Sequence, residues 1–103
     1  MGVPTLYARE RALAIIREPS PTADPVALAL GALAFIAGDE VRLSRFLALT
    51  GMDGASLRAG LTERAVQAAV LEFLANHERD LVAAAQALDI APETLKAAWE
   101  SLR

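Results

Sequence analysis

The sequence predicts an all-α bundle of about six to seven short helices. Three observations carry that prediction. Hydrophobic residues make up 54% of the 103-residue chain, and much of the excess is Ala and Leu, the apolar residues with the best helix propensity. Aromatic residues are only 5%, and β-branched residues are few, which argues against sheet. Apolar positions recur at helical spacing between Gly, Pro and Asp residues suited to starting and stopping helices.

Each element follows in order. A first helix is predicted over residues 4–17, with Pro4 in its first turn and Leu6, Leu13 and Ile16 on one face. It lies within an N-terminal segment, residues 1–18. Pro19 and Pro21 forbid its continuation, so residues 19–25 form a proline-rich linker. Asp24 is a good N-cap and Pro25 suits the first helical position of a second helix, which ends at Gly38. Gly31, in its middle, costs about 1 kcal/mol against Ala, a cost that close approach of another helix can offset. A third helix over 39–50 aligns Leu43, Phe46, Leu47 and Thr50, and Gly51 stops it. A short fourth helix, 53–59, precedes Gly60. Thr62 is read as the cap of a fifth helix reaching Asn76, with Val66, Ala69, Val70, Phe73 and Leu74 on its apolar stripe. The last two helices are predicted over 78–88, burying Leu81, Ala84, Ala85 and Leu88, and over 92–102, burying Leu95, Ala98, Trp99 and Leu102.

Sliding the chain on itself by 38 residues aligns Leu33 with Leu71, Phe35 with Phe73, Glu40 with Glu78, Leu43 with Leu81 and Leu57 with Leu95. No gap is required. Self-similarity at this period signals a repeat. The chain is therefore read as one domain, residues 1–103, holding two helix-turn-helix-like repeats, 26–60 and 62–103.

Charge narrows the functional classes. The net charge is −3, which opposes long-range attraction to nucleic acid or anionic membrane. The excess is local: residues 1–64 balance seven Arg with seven carboxylates, whereas 65–103 hold three cations and six carboxylates. With no Cys, thiol chemistry and disulfides are excluded, and a reducing cytoplasm is the expected compartment. The opening MGVPTLYARERALAIIRE is not read as a signal peptide, because Arg9, Glu10 and Arg11 interrupt it; Leu6 breaks the myristoylation pattern. The longest uncharged run, residues 25–38, is shorter than the about 20 residues a membrane span needs.

At residues 32–58, ALAFIAGDEVRLSRFLALTGMDGASLR, the chain resembles a bacterial family known only as domain of unknown function 3572, RLSRFLALTG being its most diagnostic stretch. The resemblance covers roughly residues 24–102. It implies a small helical bacterial protein and brings no activity, ligand or catalytic residue. Family members often carry Pro where this chain has Glu40 and Gly54, which touches cap geometry rather than function. Residues 81–99 are also similar to the helix-turn-helix of Fis-type regulators, with Asp89 in place of the usual turn Gly.

The chemistry-bearing residues favour no enzyme. His77 is the only histidine and lacks partners at metal-ligand spacing; Glu78 and Asp80 are read as first-turn carboxylates favoured by the helix dipole. Ser20, Ser44, Ser56 and Ser101 have no base besides His77 and no nucleophile motif. No phosphate loop appears, so neither metal nor cofactor is expected. DNA reading would place the last helix in a groove, yet its predicted outer face is Glu93, Lys96, Ala97, Glu100, Ser101 and Arg103, and Lys96 is the only lysine. Arg42, Arg45 and Arg58 flank the first repeat's turn. Together with Arg64 they are read either as a solvated face partnered by Glu40 and Glu63, or as a docking site for an acidic protein surface, including this chain's own C-terminal half in a dimer. Trp99 and Phe46 are read as core anchors. The leading expectation is a non-enzymatic protein-interaction or regulatory module, with Arg42, Arg45, Arg58, Glu93, Lys96 and Glu100 as its candidate surface and a protein partner or self-association as its binding event. The alternative is a DNA-binding regulator. A small enzyme or ligand carrier would require a deep pocket that nothing in the sequence indicates.

Overall fold

The computed structural model describes residues 24–103, and the first predicted helix lies outside them. Among the described residues there are six helices and no strand. α1 (Pro25–Ala37) begins at Asp24, whose carboxylate accepts the Val26 N–H at 3.0 Å. α2 (Glu40–Thr50) begins at Asp39, whose Oδ1 accepts the N–H groups of Val41 and Arg42 at 2.9 and 3.1 Å. α3 (Gly54–Ala59) is capped by Asp53, which accepts the Ser56 N–H at 2.7 Å. α4 (Arg64–Ala75), α5 (Glu78–Leu88) and α6 (Pro92–Leu102) complete the bundle. Each Asp satisfies N–H groups that a helix start leaves unpaired, which is why the sequence places these three starts so closely.

The predicted cap of α4 is corrected. Glu63, not Thr62, occupies the N-cap position, and no side chain bonds the free N–H groups there. The Glu63 N–H donates to the Gly60 carbonyl at 2.9 Å, closing a turn that delays the helix by one residue.

The 38-residue offset recurs in the helix boundaries. α2 and α5 start at Glu40 and Glu78, and α3 and α6 at Gly54 and Pro92. The only positive-φ residues among those described, Gly51 (φ 72°) and Asp89 (φ 57°), sit at matching positions after α2 and α5. Both stop a helix in the left-handed conformation. Asp is among the few non-glycine residues that tolerate it.

α4 runs through the centre, against α1, α2, α5 and α6, and α1 packs on α6, α2 and α5 as well. Fully buried Ile36, Phe46, Val70, Leu71, Leu74, Leu81 and Leu95 form the heart of the core. Because α4 has neighbours on several sides, its buried set is wider than one stripe. Gln67, Val70, Leu71, Phe73 and Leu74 are buried, while Val66 and Ala69 are only half-buried. Gln67 is tolerated inside because its Nε2 donates to the Leu61 carbonyl at 2.9 Å. Gly31 fulfils its predicted purpose: a Cβ there would lie 3.0 Å from Cδ2 of Leu88, so its absence lets α5 lie close to α1. α2 is held more lightly, with Phe46 its one fully buried residue. The Phe46 ring meets Phe73 of α4 edge-on, with centroids 5.4 Å apart.

Candidate functional site

The arginines predicted to flank the first turn divide. Arg42 and Arg45, one helical turn apart on α2, converge on Asp80 of α5. Arg42 Nε donates to Oδ1 at 2.9 Å and Arg45 Nη1 to Oδ2 at 3.3 Å. Arg42 also lies 3.7 Å from Asp39, and its guanidinium carbon sits 4.3 Å from the Phe35 ring centroid. Their predicted partners Glu40 and Glu63 are therefore replaced by Asp80 and Asp39. Asp80 is the first-turn carboxylate the sequence predicts, and it is also buried, 8% exposed. It is still in the first turn of α5, so the helix dipole and two guanidinium groups favour its charge together. Arg58 is exposed near the end of α3, and no ion pair joins it to the other two among the described residues.

The outer face of α6 is as the spacing predicts: Glu93, Lys96, Ala97, Glu100, Ser101 and Arg103 are all exposed. Glu100 accepts from Arg103 at 3.0 Å, and Arg103 lies over the Trp99 ring. Leu95, Ala98 and Leu102 face the core, whereas Trp99 is only half-buried.

The feature that sequence reasoning missed is a cleft of about 580 Å³ between the C-terminal end of α2 and the C-terminal half of α4. Its apolar lining is Leu49, Met52, Ala69 and Phe73, and its polar lining is Thr50, Glu72, Asn76 and His77. Leu49 stands at the rim, 63% exposed. Ordinary ligand clefts span about 300–1,000 Å³, so this one has a suitable size, with apolar and polar residues in equal number along its walls. Local chemistry fixes its polar edge. The Thr50 hydroxyl donates to the Phe46 carbonyl at 2.8 Å, which holds it against its own helix. His77 enters α5 as its N-cap residue, stacks on Phe73 with ring centroids 4.5 Å apart, and donates from Nδ1 to the Phe73 carbonyl at 2.6 Å. A carbonyl only accepts, so Nδ1 carries the hydrogen, and in the neutral ring Nε2 is left as an acceptor.

A second cleft of about 340 Å³ is lined by Val26, Leu30, Leu61, Thr62, Arg64, Gln67 and Leu102. Its one charged side chain is committed elsewhere: Arg64 donates to the carbonyls of Leu102 and Ser101, both at 2.8 Å, at the end of α6. Gln67 is likewise bonded within the fold. The α2–α4 cleft alone of these two presents a carboxylate that no described cation meets, that of Glu72.

No group of three or more His, Asp or Glu side chains placed to hold a metal occurs among the described residues, and no described helix is long and apolar enough to cross a membrane. No curated protein and no solved structure matches the chain. A family model described as "Protein of unknown function (DUF3572)" matches residues 22–103, slightly beyond the predicted span at both ends. That match takes in every described helix, and the chain belongs to the DUF3572 family.

Proposed function

We propose that the protein is a non-enzymatic interaction module whose α2–α4 cleft receives an apolar segment of a protein partner. The observation that carries this reading is Leu49, a large apolar side chain left 63% exposed beside an open, half-apolar cleft. Single exposed apolar residues are ordinary, but one that rims a cleft floored by Met52, Ala69 and Phe73 extends an apolar surface. A helix laid into such a groove is a common mode of peptide recognition. The arginines make a poor docking site for an acidic surface, because Asp80 and Asp39 already neutralise Arg42 and Arg45. The exposed face of α6 favours neither phosphate nor base contacts, since Lys96 stands between Glu93 and Glu100.

Site-specific photocrosslinking in cells producing the full chain tests this reading. A crosslinker in place of Leu49 is expected to give a discrete adduct, and one in place of Ala97 on the outer face of α6 is not. Equal adducts at both positions, or none at position 49, contradict it.

A further inference from the structure

Resting on that reading of the cleft, we infer that the partner segment is basic: an apolar anchor flanked by Lys or Arg, whose cation is read by Glu72. Among the described residues, no Lys or Arg lines the cleft and Glu72 makes no ion pair. Glu72 also lies in the last turn of α4 (Arg64–Ala75), which holds no basic residue. A carboxylate there faces the negative end of the helix dipole, an arrangement that opposes the helix rather than stabilising it. Helix stability therefore supplies no reason for an acidic side chain at this position. A cation arriving beside Glu72 would relieve both the carboxylate and the dipole. His77 adds to the same preference, since its Nδ1–H is engaged with the Phe73 carbonyl and the neutral ring offers an acceptor at Nε2. The cleft thus pairs an apolar floor with two acceptors, the Glu72 carboxylate and His77 Nε2, beside the Asn76 amide at its edge, a lining that suits an amphipathic segment bearing a cationic donor. The chain's net charge of −3 favours encounter with the same kind of partner.

The test is peptide selection on the immobilised full chain from a phage-displayed library of random peptides. Parallel selections use Leu49→Asp, Glu72→Gln and the Glu93→Gln/Glu100→Gln double variant, all changed at exposed positions. Peptides that bind the wild type and not Leu49→Asp are expected to carry apolar anchors with Lys and Arg enriched about threefold over the library. Glu72→Gln should erase that enrichment and keep the apolar anchors, while Glu93→Gln/Glu100→Gln, which removes more negative charge, should leave it intact. Selected peptides without a basic excess, or an excess that survives Glu72→Gln, overturn the inference and leave the cleft reading standing. If no peptide distinguishes the wild type from Leu49→Asp, the cleft reading itself fails, and the inference with it.

Discussion

Asp80 shows how much one side chain carries. It is buried, it receives Arg42 and Arg45, and it joins α5 to the lightly held α2. Asp80→Ala leaves two guanidinium groups without their shared acceptor and should cost about 2 kcal/mol in urea unfolding. Arg58→Ala, with no such partner, should stay within about 0.5 kcal/mol. The capping aspartates give a pH signature. The Arg42 N–H first, with the Arg42 charge and the Val41 N–H adding to it, holds the Asp39 carboxyl below the ordinary range. The Ser56 N–H and then its hydroxyl do the same for Asp53. Each folded pKa lies below its unfolded one, so the stability these caps give is present above the ordinary Asp value of about 3.9 and is lost as pH falls through the lower folded value. Asp39→Asn and Asp53→Asn keep a good capping side chain. Each should leave thermal stability at neutral pH nearly unchanged and flatten its decline on acidification.

At the scale of elements, the two left-handed stops behave as opposites. Gly51→Ala puts a Cβ into a conformation that costs an L-residue about 1 kcal/mol, and thermal unfolding should register that loss. Asp89→Gly removes the same strain and should be neutral or slightly stabilising, its gain reduced by a more flexible unfolded chain. Gly31 separates propensity from packing. Gly31→Ala gains about 1 kcal/mol of helix propensity but asks the half-buried Leu88 side chain to yield, so the net change should stay under about 1 kcal/mol. Gly31→Leu should cost about 1–3 kcal/mol, because α5 must move away from α1. These elements were legible in the sequence because their signals are local: Asp24 before Pro25, Gly after α1 and α2, Pro92 opening α6. Thr62 misled because the Gly60–Glu63 turn, not a cap side chain, sets where α4 begins. The single stripe drawn on α4 was too narrow because periodicity sees one face and not how many neighbours a central helix has.

At the scale of the whole molecule, the all-α bundle and the 38-residue recurrence of its helix boundaries followed from patterning, whereas the candidate site did not. Arg42 and Asp80 are 38 residues apart, and only the packed bundle brings α2 and α5 within bonding distance. The cleft is similarly non-local. Leu49 and Met52 look like the end of a helix, and Phe73 and His77 look like the junction of two others, until Phe46 seats α2 on α4 through Phe73. The central claim is that this junction, and not the outer face of α6, is where the protein meets its partner. Amide-shift mapping tests it most directly, with the isotope-labelled full chain titrated by a Lys-bearing peptide selected against it. The account predicts shifts centred on Leu49, Met52, Glu72, Phe73 and His77. Shifts centred on Glu93, Lys96 and Glu100, with the cleft unmoved, would contradict it.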